Sequence, residues 1–255
     1  MKPLQPEQEM QKITHFLKET FRKTGFSKAI IGVSGGVDSA VSLSLSVRAL
    51  GPKNVYPVLL PYGALSTQGT IDAIEQIQAL LIPTKNIIRI DIQPAVEVLS
   101  RVVVPDETRK GNIMARVRMI VLFDQAKKLG ALVVGTENKT EHHLGYFTRF
   151  GDEESDIEPI IHLWKTHVYE IARHVGVIKT ILDKAPTAGL WPGQTDEKEF
   201  GFTYSEADMV LSLVIEEKKN ESELTETGVR PDTIQAVLER QKKNEFKLMT
   251  PHQVT

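Results

Sequence analysis

The chain has 255 residues, 41% of them apolar, with 31 lysines and arginines against 33 aspartates and glutamates and no cysteine. That length suits one α/β domain with a full core, while the missing cysteines exclude a disulfide scaffold, cysteine-ligated zinc or iron–sulfur, and a cysteine nucleophile. A net charge of -2 gives no global pull toward nucleic acid or acidic membrane, and no apolar run approaches the roughly 18 residues of a membrane span, so the expectation is a cytoplasmic protein with neither partner and with any anion held by a local site.

In chain order, Glu7 to Thr24 carries Ile13, Phe16, Leu17 and Phe21 at helical spacing and reads as an amphipathic helix. The apolar run Ala29–Val33 is a strand that breaks into Ser34-Gly35-Gly36-Val37-Asp38-Ser39, and a helical pattern then runs to Leu50 before Gly51-Pro52. Val55–Leu60 is a second strand with a return helix from Gly69 to Leu81, and Ile87–Ile92 a third strand with a helix from Pro94 to Val103. Pro105 to Gly111 reads as a loop, Asn112 as the N-cap of a helix to Leu129, and Ala131–Thr136 as a fourth strand. Strands alternating with helices predict an α/β fold: a doubly wound parallel sheet with helices on both faces. Beyond Thr136 the texture changes. Asn138 to Asp156 and Pro186 to Gly201 read as long loops, Lys165–Val175 and Ile178–Lys184 as short helices, and Ser205–Lys219 and Pro231–Lys243 as charged tail helices. The whole reads as a single domain over 1–255: an N-terminal helix (1–24), a sheet core (25–136), and long loops with a helical C-terminal part (137–255).

The hexapeptide SGGVDS lies between a strand and a helix. Its two glycines let backbone amides approach an anion, Ser34 and Ser39 add hydroxyl donors, and Asp38 offers a carboxylate to a phosphate-bound Mg2+. It lacks the lysine of the GxxxxGK[ST] loop. In an open doubly wound sheet, ligands sit at the carboxyl ends of strands where the order reverses, here between strands one and four. The segment Gly135-Thr136-Glu137-Asn138-Lys139-Thr140-Glu141 leaves strand four, so Glu141 is placed to face Asp38 and share a metal. His142-His143 reads as loop surface, Trp164 and Trp191 as packing residues, and Tyr146 as an open candidate in the site loop.

SGGVDS resembles the pyrophosphate loop of the N-type ATP pyrophosphatases, the adenine nucleotide alpha hydrolase-like fold. The ordered set GVSGGVDSAV, KGNIMARVRMI, VVGTENKTE, GYFTRFGDEESDIEPI, LWKTHVYEIAR, KAPTAGLWPGQTDE and NEFKLMTP is similar to the ammonia-dependent NAD synthetases over most of the chain. The resemblance implies a C–N ligase of NAD biosynthesis that adenylates the nicotinate carboxylate of deamido-NAD with ATP, releases pyrophosphate, and lets ammonia displace AMP. It implies ATP contacts from Gly32, Val33, Ser34, Gly35, Gly36, Val37, Asp38, Ser39, Thr136, Lys165 and Thr187, and Mg2+ ligands Asp38 and Glu141. Arg116, Arg149, Asp156, Phe246 and Lys247 would bind deamido-NAD, and Asp152 would take a proton from ammonium. Two departures stand out: Arg149 replaces the family's lysine, and Glu153-Glu154 replaces a Gly-Gly. Glutamine-hydrolysing relatives carry an extra domain with a cysteine nucleophile, so free ammonia is expected here, which leaves room for a separate glutaminase subunit. The family forms homodimers, and the helix from Asn112 to Leu129 is apolar on more than one face, as an interface helix would be. Within the superfamily, amidation or thiolation of another carboxyl, nucleotide or tRNA base is the alternative; from another class, a non-catalytic nucleotide sensor would be expected to lose Asp38 or Glu141.

Overall fold

In a computed structural model, which describes residues 1–224 and 228–249, the chain begins with α1 (Pro6–Thr24). Ile13, Leu17 and Phe21 fall four residues apart and are buried as one stripe, each contributing about 1.5–3 kcal/mol by leaving water. Gly25 ends the helix in the left-handed region (φ 77°), where its amide donates to Phe21 O at 3.1 Å.

Four parallel strands follow: β1 (Ala29–Gly32), β2 (Val55–Leu59), β3 (Ile88–Arg89) and β4 (Leu132–Val133), in the order β3-β2-β1-β4. The order reverses between β1 and β4, as the sequence predicts, so the crevice opens where β1 and β4 end. β3 and β4 are shorter than their apolar runs. Past β4 the segment around Ile157 takes over, with a parallel bridge to Val134 and Gly135 N donating to Ile157 O at 2.8 Å.

The period of two in β1 feeds two cores. Ala29, Ile31 and Val33 face a cluster with α1, α2 (Val37–Leu50) and α7 (Lys165–Val175); Ile30 faces a second cluster with Val58, Ile92, Val96, Met114, Val117 and Val133. Helices α3 (Thr67–Ala79), α4 (Gln93–Val103) and α5 (Glu107–Leu129) complete the two layers. A third cluster joins α6 (Lys139–Leu144), α9 (Asp196–Phe200), α10 (Tyr204–Ile215), α11 (Glu221–Leu224) and α12 (Pro231–Asn244). Between them lies the short α8 (Lys179–Leu182).

The larger differences from the sequence reading lie in the helices and loops. α5 starts six residues early because Asp106, not Asn112, is its N-cap and accepts from Arg109 N at 2.8 Å. The segment 138–156 is not loop throughout: Asn138 accepts from Glu141 N at 3.0 Å and nucleates α6. The segment 186–201 closes with α9, and α10 stops at Ile215 rather than Lys219. Residues 225–227 and 250–255 of the expected domain lie outside the described residues.

Candidate active site

Gly35 sits in the left-handed region (φ 81°), and a Cβ there would strike the backbone of Gly69 at the start of α3. Two glycines thus let the hexapeptide turn and the α3 entrance touch, a contact that any side chain would open. Gly36 is the N-cap of α2 and no side chain caps the helix, which leaves first-turn amides directed at the crevice. The hydroxyls of Ser34 and Ser39 lie 3.2 Å apart, Gly36 N donates to Ser34 Oγ at 3.2 Å, and Ser39 Oγ donates to Gly36 O at 3.0 Å. The turn is a preformed concave set of small donors.

Asp38 projects from the first turn of α2, and Glu141 from the first turn of α6. Asn138 binds both elements: its Oδ1 caps α6 while its Nδ2 donates to Asp38 Oδ1 at 2.8 Å. The ammonium of Lys165 then lies 2.7 Å from Asp38 Oδ2 and 2.7 Å from Glu141 Oε1. Far from being a solvated lysine, Lys165 is buried. The first amides of α7 are satisfied from other elements: Lys165 N donates to Thr140 Oγ1 and Thr166 N to Asp208 Oδ2, both at 2.8 Å. Burial alone would depress the lysine, but the two carboxylates outweigh it and hold its pKa well above the ordinary value. Burial raises the Glu141 carboxyl to about 7, against the pull of Lys165.

A cavity of about 430 Å³ extends from this point and is lined by Gly32, Val33, Ser34, Gly36, Val37, Asp38, Ser39, Thr136, Glu141, Asp152, Lys165 and Thr187. Of the expected ATP set, Gly35 alone turns away, toward Gly69. Its size is that of a small-molecule site, and it opens at the switch point of the sheet. Asp38 and Glu141 converge on a position already occupied by a cationic nitrogen, and both offer hard oxygen donors. That fits Mg2+, which takes one or two carboxylates and completes its shell with water and phosphate. Among the described residues no group of three or more His, Cys, Asp or Glu is arranged to hold a metal alone.

Asp152 lines the cavity with its side chain exposed there; the protein around it pushes its carboxyl up, against Thr148 N donating to it at 2.8 Å. Behind it Arg118 donates to Leu60 O at 3.2 Å, and its charge acts on Asp152. The neighbouring carboxyls rise by burial as well, Glu153 to about 7 and Glu158 to about 8. The expected deamido-NAD residues stand outside the cavity wall. Arg116 donates to Arg149 O at 3.2 and 3.3 Å, the Arg149 guanidinium lies 5.0 Å from the centre of the Phe246 ring, and Lys247 donates to Gly145 O and Phe147 O at 2.6 and 3.0 Å. Asp156 is separate from them, with Oδ2 accepting from Val133 N at 2.8 Å on the edge of β4.

The sequence reading missed several members. Asp196 and Tyr204 meet beside Glu141, and Lys184 enters the cavity wall from an ion pair with Asp72 at 2.8 Å. Tyr146, the open candidate, donates to Asp196 at 2.9 Å. His143 is not loop surface: it lies on α6 near Trp164, and burial lowers it to about 4.

The family model for NAD synthase matches residues 9–251. An NH(3)-dependent NAD(+) synthetase of Fusobacterium nucleatum is 40% identical over 239 residues, 94% of this chain and 92% of that protein. Among solved structures, an NMN synthetase from Francisella tularensis aligns with a TM-score of 0.87 at 34% identity, covering 99% of this chain and 100% of that one. An NH3-dependent NAD synthetase from Campylobacter jejuni aligns with a TM-score of 0.83 at 27% identity, with the same coverage.

Proposed function

This chain belongs to the NAD synthase family, and we propose from that premise that it is an ammonia-dependent NAD synthetase, an ATP-dependent ligase that amidates deamido-NAD through an acyl-adenylate. One observation carries the reading: carboxylates leaving β1 and β4 converge on a single cation position in the wall of a cavity that the SGGVDS turn also lines. An Mg2+ held by Asp38 and Glu141 would neutralise charge on the departing pyrophosphate.

The chain's own residues do the rest. The amides of 34–39 and the hydroxyls of Ser34 and Ser39 grip the outer phosphates, and Lys165 turns from the carboxylates to phosphate oxygens. Thr136 and Thr187 close on the nucleotide. The nicotinate carboxylate oxygen forms a bond to the α-phosphorus as the α–β bridge breaks, so pyrophosphate leaves with the bridging electron pair. Arg116, Arg149, Asp156, Phe246 and Lys247 hold deamido-NAD. Asp152, whose raised pKa makes it a better acceptor, takes a proton from ammonium; the freed ammonia bonds to the acyl carbon as that carbon's bond to the AMP oxygen breaks, AMP leaves with that electron pair, and the second proton passes to solvent. Val98, Val102 and Val104 at the end of α4 and Ile120 on α5 are exposed apolar residues, and they are where a second copy of the chain would pack.

Purified protein with ATP, Mg2+, deamido-NAD and ammonium should yield NAD, AMP and pyrophosphate in equal amounts; ADP and phosphate instead would overturn the reading. The likeness to an NMN synthetase favours a second reading in which the same site amidates the acid form of that mononucleotide. A higher kcat/KM for nicotinate mononucleotide than for deamido-NAD would select it.

A further inference from the structure

Tyr204 is buried, and its hydroxyl lies 3.0 Å from Glu141 Oε1 and 2.9 Å from Asp196 Oδ2. A phenol carries one proton, so it donates fully to only one of these carboxylates at a time. Asp196 is buried too, and its other oxygen accepts from Ala188 N and from the Tyr146 hydroxyl, both at 2.9 Å. Ala188 directly follows Thr187. A continuous path of hydrogen bonds therefore runs from the cation seat to the segment that carries Thr187.

We propose that Tyr204 and Asp196 are positioning residues that couple cation binding at Glu141 to the fixing of the segment 187–189. The inference rests on Asp38 and Glu141 being the cation seat of the proposed reaction. A cation drawing on Glu141 Oε1 removes the acceptor that competes for the Tyr204 proton. The Tyr204 hydroxyl, keeping its proton, then donates to Asp196 alone, the Tyr204–Asp196 bond becomes an undivided charge-assisted one, and Asp196 is held in the orientation that grips the Ala188 amide. By linkage, a fixed segment must in turn strengthen cation binding by the same factor.

The test uses the full chain with α,β-methylene-ATP, which resists cleavage, and Mn2+ as the spectroscopic cation. Adding Mn2+ to the nucleotide complex should slow deuterium exchange at Ala188 by about tenfold or more, the weight of a hydrogen bond to a charged group. In Tyr204→Phe the slowing should vanish, and Mn2+ should bind several-fold more weakly. Asp196→Asn touches no cation ligand, yet should weaken Mn2+ as well, and the double variant should be no worse than the weaker-binding single one. A merely structural role would lower the melting temperature without removing the Mn2+ dependence of exchange. Unchanged Mn2+ dependence in Tyr204→Phe, or strictly additive losses, would overturn the coupling alone. Failure of the unaltered protein to bind Mn2+ with the nucleotide would overturn the cation seat itself.

Discussion

Replacing Lys165 by Met tests the centre of the site without any substrate. Lys165 is 2% exposed, and both of its carboxylate partners are less than a fifth exposed, so the ion triad is taken out of water. Removing one member of a buried pair typically costs about 3–5 kcal/mol, because the remaining charges stay desolvated and unpaired. Here the cost falls near the lower end, since Asp38 keeps Asn138 and Glu141 keeps Tyr204. In a chain of this size about 3 kcal/mol lowers Tm by roughly 6–12 °C. The deficit has a pH signature. With the lysine gone, the folded-state pKa of Glu141 rises further above its present value of about 7, the fold then holds a proton that the unfolded chain has released, and the stability lost to ionisation returns as pH falls from 8 toward the unfolded carboxylate value. Divalent cation should also rescue the variant more than the parent, because the seat is no longer contested by an ammonium. Thermal unfolding at pH 5.5 and 8, with and without Mg2+, reads all three effects. A variant that melts with the parent at pH 8, or gains no more from Mg2+ than the parent does, would refute the triad.

Glu158→Gln should stabilise the protein in alkaline buffer. Burial raises Glu158 to about 8, so the fold keeps its proton from pH 4.5 to 8 and loses stability as pH rises through that window. At about 1.4 kcal/mol per unit, the ionised carboxyl costs the fold up to about 5 kcal/mol above pH 8. Urea titrations at pH 5 and 9 should show the variant and parent alike in acid and the variant more stable in base; the reverse order would sink the assignment. The exposed apolar residues of α4 and α5 give a further prediction. Val102 and Ile120 are 76% and 60% exposed, and Val102→Glu with Ile120→Glu should convert a dimer to a monomer in sedimentation at micromolar concentration, while a monomeric parent would remove these residues from consideration as an interface.

How much of this was legible in the sequence depends on how far apart the interacting groups lie. SGGVDS announces itself because every part of its chemistry sits within six residues, and the switch-point rule then finds Glu141 about a hundred residues away without any pairwise signal. The α6 cap was legible too: Asn138 stands three residues before Glu141, the spacing of an N-cap followed by an acid, and reading it would have turned the loop into a helix. Asp196, Tyr204 and Asp208 were not. Asp196 falls in a segment that reads as loop, Tyr204 and Asp208 at or within a charged tail helix, and in either setting solvent is the ordinary partner of a polar residue; their buried roles come only when α6, α7, α9 and α10 fold together. The same holds for Lys165, whose neighbours in sequence say nothing of Asp38, 127 residues away.

A chain of net charge -2 that is to hold a triphosphate has to resolve an electrostatic conflict inside the cavity, where Asp38, Glu141 and Asp196 already gather around the phosphate turn. The basic residues near them are committed: Lys165 to two of those carboxylates, Lys184 to Asp72, Arg118 to the Leu60 carbonyl. A bare triphosphate entering this space would meet uncompensated like charge in a medium that screens poorly. The backbone amides of the turn contribute only partial charge, about half an elementary charge at a helix N-terminus. The arithmetic closes if the anion brings its own divalent cation. That cation takes over Asp38 and Glu141, and the displaced ammonium becomes available to the phosphates, so one exchange satisfies both carboxylates and anion. Nucleotide affinity should therefore depend far more steeply on divalent cation than on ionic strength, because the requirement arises at a single buried position and not from the field of the whole protein.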